Sequence, residues 1–127
     1  MEIEFLPVCP EEAGGLGTPR NPAELQGGAR ELLNGKGTVN DIEGSDCTHN
    51  YIEGSKKELQ KAQEANVKTA ILKSRSPACG CGEVYDGTFT GKLIRDNGIF
   101  TQMCLDEGIN IISSDDSKNI IEALAKE

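Results

Sequence analysis

Tryptophan is absent from this chain and aromatic residues make up only 4% of it, so no broad stacking platform is on offer for bases. Positive charge is also scarce. Thirteen Lys and Arg stand against 21 Asp and Glu, giving a net charge of −8 and a pI near 4.7. That is the wrong sign for a sequence-independent grip on phosphate backbones, so nucleic acid is not expected as a main partner. No apolar run approaches the ~20 residues that a membrane helix needs, and Met1-Glu2-Ile3-Glu4 lacks the basic segment that opens a signal peptide. A soluble, cytoplasmic protein with no membrane partner is expected. Histidine occurs once, as His49, which removes zinc sites built on Cys/His pairs.

Cysteine, by contrast, is present five times. An odd count without an export signal argues against a disulfide framework, leaving core fillers, metal ligands or reactive thiols. At 127 residues the chain is expected to form a single domain, residues 1–127, burying roughly two-thirds of the surface its unfolded form exposes. With so few aromatics the core must come from Ile, Leu, Val and Ala, which suits sheets covered by helices.

Ile3 to Val8 is rich in strand formers and reads as a strand ending at Cys9, confined by Pro7 and Pro10. Residues 10–28 gather three prolines and five glycines and read as a long loop. Residues 37–43 alternate weakly, as a short strand would. From Thr48 to about Ala65, the spacing of Ile52, Ser55, Leu59 and Ala62 predicts a helix capped by Asp46 or Thr48. Residues 67–73 carry the apolar density of a buried strand and deliver the chain to Ser76 and Cys79. Ile99, Phe100, Met103 and Cys104 predict a further helix closed by Gly108. A strand over 109–112 follows, then a last helix with Ile120, Ile121 and Leu124 inward, behind a cap at Ser114-Asp115-Asp116. This alternation implies a parallel sheet, with Cys9 and Cys79 at the carboxyl edge of its strands, where ligands gather. The two loops 7–11 and 76–80 are therefore expected to form one cysteine-bearing site.

The remaining cysteines separate by position. Cys104 lies on an apolar helical stripe and reads as a buried small hydrophobe. Cys47 sits near a helix N-terminus, which stabilises a thiolate but tolerates an idle cysteine as well. Cys81 shares the turn Ala78-Cys79-Gly80-Cys81-Gly82 with Cys79, close in sequence to Lys73 and Arg75, whose charges would lower a thiol pKa. A single Cys-x-Cys is no zinc signature. Iron–sulfur sites can draw thiolates from distant loops, so the pattern permits a cluster without demanding one.

Six ordered segments, Pro7-Val8-Cys9-Pro10-Glu11, Gly14-Gly15-Leu16, Thr18-Pro19-Arg20, Ile71-Leu72-Lys73, Ser76-Pro77-Ala78-Cys79-Gly80 and Tyr85-Asp86-Gly87-Thr88-Phe89, resemble the bacterial family long called domain of unknown function 523. The resemblance runs over residues 5–114. Its members include thiouracil desulfidases holding a 4Fe-4S cluster on three cysteines, with the fourth iron open. The resemblance implies a Rossmann-like three-layer α/β fold with a mainly parallel sheet, and removal of sulfur from a small thiolated molecule such as a thiolated pyrimidine. Carried over by motif, Cys9 and Cys79 would be cluster ligands, Glu11 the acid/base, Ser76 a substrate or proton-relay hydroxyl and Arg20 a substrate-binding cation.

Members of that family begin with another strand leading to a Cys-Leu-Leu-Gly-like turn, which this sequence does not contain. The chain is therefore expected to lack the family's first strand and first cluster ligand. Cys81 or Cys47 is the substitute available within the sequence. The lost strand would leave a sheet edge to cover, by self-association or by a partner that supplies the strand. An inactive or accessory module of the same fold is the alternative function. A thiol redox protein using Cys79 and Cys81 is weaker, because one intervening residue strains a disulfide.

Overall fold

The computed structural model describes residues 5–125. Along the chain run α1 (Pro10–Ala13), β1 (Ala23–Gln26), α2 (Ala29–Leu33), β2 (Thr38–Asp41), α3 (Thr48–Glu64) and β3 (Thr69–Leu72). They are followed by β4 (Val84–Tyr85), β5 (Leu93–Ile94), α4 (Ile99–Asp106), β6 (Asn110–Ser113) and α5 (Ser117–Ala125). The class is α/β. Its parallel pairing joins β3 to β6, in register from Thr69 opposite Asn110 to Leu72 opposite Ser113. Two antiparallel pairs accompany it, β1 with β2 and β4 with β5.

Local chemistry sets the element ends. The Asp46 carboxylate accepts the backbone N–H of Thr48 at 2.9 Å and its hydroxyl at 2.5 Å, starting α3. The Thr48 hydroxyl oxygen in turn accepts the Val39 N–H at 2.9 Å and ties α3 to β2. Asp116 caps α5 through the Asn119 N–H at 3.2 Å, as an acid at a helix start should. Gly108, at φ 78°, follows α4 and turns the chain into β6.

Several expectations are revised. The first residues of the strand expected over 3–8 lie outside the described residues, and residues 5–9 form no strand. The loop expected over 10–28 contains α1 and β1, because Pro10 takes the first helical position, where a missing N–H costs nothing. The buried face of α3 is Tyr51, Gly54, Ser55, Glu58 and Ala62; Ser55 and Ala62 of the expected stripe lie on it, while Ile52 and Leu59 are only half-buried. β3 is less enclosed than its composition implies, since Ile71 stays 38% exposed. Ile121 faces solvent at 67% exposure rather than inward. The Leu124 side chain lies outside the described residues.

Three glycines decide where the cysteine loops sit. A Cβ on Gly54 would fall inside the Pro10 carbonyl, and one on Gly14 inside the Asn50 carbonyl, so α1 lies backbone to backbone on α3. A Cβ on Gly98 would collide with the backbone of Ala78 and Cys79, which presses the second loop onto the start of α4. The core between these contacts holds Leu25, Leu32, Val39, Ile99 and Phe100, all at most 2% exposed.

Beside β3 an apolar groove of about 580 Å³ is lined by Phe5, Leu6 and Val8 together with Thr69, Ile71 and Cys104. β6 is the one strand paired with β3, and the described residues leave the other edge of β3 without a strand partner.

Gly54→Ala is expected to destabilise the protein by about 1–3 kcal/mol, as overpacking does, although alanine favours helix. Gly17→Ala, with nothing within 4 Å of the added carbon, should change stability by less than about 0.5 kcal/mol. Denaturant unfolding midpoints of the two variants check this, and equal midpoints would contradict the close approach.

Candidate functional site

The first arm of the site is the turn into α1. Cys9 occupies the N-cap position of α1 with extended backbone, and its N–H donates to Glu58 Oε2 at 3.0 Å. Its carbonyl accepts the Ala13 N–H at 3.0 Å. The Asn50 side chain donates to the Gly14 carbonyl at 2.8 Å at the other end of α1. Anchored at both ends, α1 turns Glu11 inward to 8% exposure, and the Cys9 sulfur stands 4.0 Å from Glu11 Oε1.

The second arm is the loop from Ser76 to Gly80. The Cys79 N–H donates to the Ser76 hydroxyl oxygen at 2.7 Å, closing a local turn. The Gly80 N–H donates to the Ser76 carbonyl at 2.9 Å. Loop carbonyls then satisfy the free donors at the start of α4: Gly80 O takes the Gly98 N–H at 2.8 Å, Pro77 O that of Ile99 at 2.7 Å and Ala78 O that of Thr101 at 3.2 Å. The helix end is used to hold the loop rather than to stabilise a thiolate.

The two arms meet. Burial first, and then the Glu11 charge, push the Cys79 thiol up to about 12, with Cys9 and Cys104 adding to the shift and Ser76 opposing it. Cys9, Glu11, Ser76 and Cys79 thus lie close enough to act on one another. The lowering effect expected of Lys73 and Arg75 is absent: both are exposed, and Arg75 turns to Glu83 at 3.8 Å. Exposed cations are screened and cannot offset burial.

The other candidates are set apart. Cys81 is half-buried, its thiol raised by burial. The Cys47 thiol lies 3.6 Å from the Ser45 carbonyl, and burial, followed by Asp41 and Asp46, raises it. Cys104 is buried in the core at 1% exposure, and His49 is exposed. Arg20 is exposed, with Nη1 3.2 Å from the Thr18 hydroxyl. Tyr51 was not anticipated. It is buried, its ionisation raised by burial and then by Glu11, with Arg20 acting in the opposite direction. The pattern offered one signal for it, a position one helical turn before Ser55. Glu58 was also missed, because an acid inside an apolar stripe reads as solvated.

Two thiols and a carboxylate are donors suited to iron. Among the described residues, however, no group of three or more His, Cys, Asp or Glu side chains could hold a metal ion. Of the five cysteines, Cys9 and Cys79 are the two that these loops bring to the site, and the described residues supply no third ligand beside them.

The model of the 2-thiouracil desulfurase family matches residues 1–116, and the chain belongs to that family. It is 42% identical over 121 residues to the uncharacterized protein YbbK of Bacillus subtilis strain 168, covering 94% of this chain and 80% of that one. Its structure is similar to that of the 4Fe-4S-dependent thiouracil desulfidase TudS, with a TM-score of 0.83 and 35% identity, covering 96% of this chain and 75% of that one.

Burial also raises the Cys104 thiol from 9.0 to about 12. An unfolded chain ionises this group at lower pH than the folded one, so its contribution to stability is present below about pH 9 and lost as pH rises towards 12. Melting temperatures are expected to fall as pH rises from 9, and the slope should be shallower in Cys104→Ala, whatever that variant's absolute stability. Parallel slopes would contradict the burial of this thiol.

Proposed function

We propose that this chain is an iron–sulfur-dependent desulfidase that removes sulfur from a small thiolated heterocycle, a thiolated pyrimidine being the best fit to its family. The observation that carries the proposal is the meeting of Cys9, Glu11 and Cys79 from two distant loops, two half-buried thiols beside a buried carboxylate. Cys9 and Cys79 would hold two irons of a 4Fe-4S cluster, which supplies a Lewis-acidic iron to the thiocarbonyl sulfur when bound. Glu11, enclosed and next to both thiols, is placed to take and return the proton of an attacking water. Ser76 fixes Cys79 through its oxygen and keeps its O–H free to donate. Arg20 stands at the rim as a cation for a substrate carbonyl.

The third ligand would come from a strand supplied by a partner and laid in the groove beside β3. The groove beside β3 has an open strand edge on one side and Val8 on the other, and Val8 directly precedes Cys9. A strand laid there parallel to β3 would end beside the cysteine pair, where strands of such sheets present ligands. Cys81 is the poorer candidate. A second function, an accessory module of the same fold, is favoured only by the incomplete ligand set among the described residues.

Anaerobic reconstitution with iron and sulfide is expected to give broad visible absorbance that Cys9→Ala and Cys79→Ala each abolish. Sulfide release from 2-thiouracil should follow the same pattern. Colour without sulfide release would leave the accessory role, and a colourless wild-type chain would exclude cluster catalysis by it. At high concentration the chain should associate through the open edge of β3, and Ile71→Lys should shift the light-scattering mass towards monomer.

A further inference from the structure

Glu58 is a second buried carboxylate beside the cysteine turn, and no step of the proposed reaction uses it. It is 6% exposed, and a carboxylate so enclosed costs stability unless its oxygens are bonded. One oxygen, Oε2, accepts the Cys9 N–H at 3.0 Å. The other, Oε1, stands 3.4 Å from the Lys61 ammonium, whose side chain is half in solvent, where an ion pair is weak. The Cys9 N–H is therefore the partner that accounts for a buried acid at this position.

Little else holds the cysteine. Phe5, Leu6 and Pro7 are exposed, and residues 5–9 form no strand. Among the described residues, the Glu58 bond is the one hydrogen bond that ties residues 5–9 to an element other than α1. No side chain caps the start of α1. The remaining fastenings act at its far end, where Asn50 donates to the Gly14 carbonyl at 2.8 Å and Lys57 to the Ala13 carbonyl at 3.3 Å. Glu58 lies one helical turn beyond Gly54 on the same buried face of α3. Gly54 lets Pro10 approach the helix, and Glu58 arrests the residue just before it. The half-buried Cys9 thiol, 4.0 Å from Glu11 Oε1, thus stands on a backbone fixed from α3 by one contact.

We propose that Glu58 is a positioning residue for Cys9: by accepting the Cys9 N–H it fixes the turn into α1 on α3 and sets where the Cys9 sulfur stands beside Glu11. Groups that orient a ligand from behind commonly decide how firmly a metal is held. That Cys9 is a ligand rests on the desulfidase function proposed above, whereas the tether can be read in protein without iron.

In the iron-free wild type, the Cys9 amide should exchange with solvent at least about tenfold more slowly than that of Leu6, as one hydrogen bond to a charged acceptor allows. Equal exchange would overturn the proposal without any variant. Glu58→Met keeps the length of the side chain and removes the acceptor, while Glu58→Gln keeps an acceptor oxygen. At one fixed pH, in the full-length iron-free chain, iodoacetamide should alkylate Cys9 about tenfold faster in Glu58→Met and within about threefold of the wild-type rate in Glu58→Gln. Cys79 and Cys104 should react at wild-type rates in both variants. An unchanged rate at Cys9, an acceleration shared by all three thiols, or the same gain in both variants would overturn the positioning role. After anaerobic loading with iron and sulfide, Glu58→Met should lose iron to a chelator about tenfold faster than wild type, and loss at the wild-type rate would also overturn it. A wild-type chain that takes up no iron would defeat the desulfidase function, and the alkylation rates would then decide the role of Glu58 alone.

Discussion

Backbone-to-backbone contact at Gly54 and Gly98 is the constraint on which the site depends. At each position the missing side chain lets a cysteine-bearing turn lie directly on a helix, α1 on α3 and the Ser76–Gly80 loop on the start of α4. Contacts of this kind leave little play, because carbonyls and N–H groups of fixed geometry replace adjustable side chains. The Cys79 loop carbonyls occupy the free N–H groups of α4, and Glu58 on α3 takes the Cys9 N–H. The two sulfurs are thus referenced to two helices that pack on one another, and the Cys9–Glu11–Cys79 arrangement follows from that packing.

Much of this was legible before any coordinates. Cys9 and Cys79 stood out because each follows an apolar run and is flanked by proline or glycine, and the order of motifs pointed to the family. The alternation of helix and strand beyond Thr48 gave α3, β3, α4 and β6 within a few residues. Pro10 misled, because the feature that stops a strand is also favoured at the first position of a helix. The face of α3 was misjudged in part, because a glycine and a glutamate sit on its buried side. Periodicity weighs side-chain hydropathy and has no means of registering that Gly54 is wanted for its emptiness or Glu58 for one backbone N–H. The pull of Lys73 and Arg75 on Cys79 failed for a related reason. Nearness in sequence says nothing about exposure, and exposure decides how far a charge is felt. Tyr51 was hidden because the groups that act on it, Glu11 and Cys79 among them, are distant in sequence and only the tertiary fold assembles them.

The charges at the site also separate the competing chemistries. A redox cysteine needs an accessible thiol with a depressed pKa. Cys79 has the opposite setting, enclosed and faced by the Glu11 carboxylate, with its thiol form favoured to about pH 12. Cys81 is likewise raised by burial, so a Cys79–Cys81 couple would be slow to attack as well as strained when closed. The same carboxylate that opposes a bare thiolate favours any cation bound between the sulfurs, because positive charge reverses the local balance. Glu11 therefore disfavours free thiol chemistry and favours metal-bound thiolate chemistry with one and the same charge.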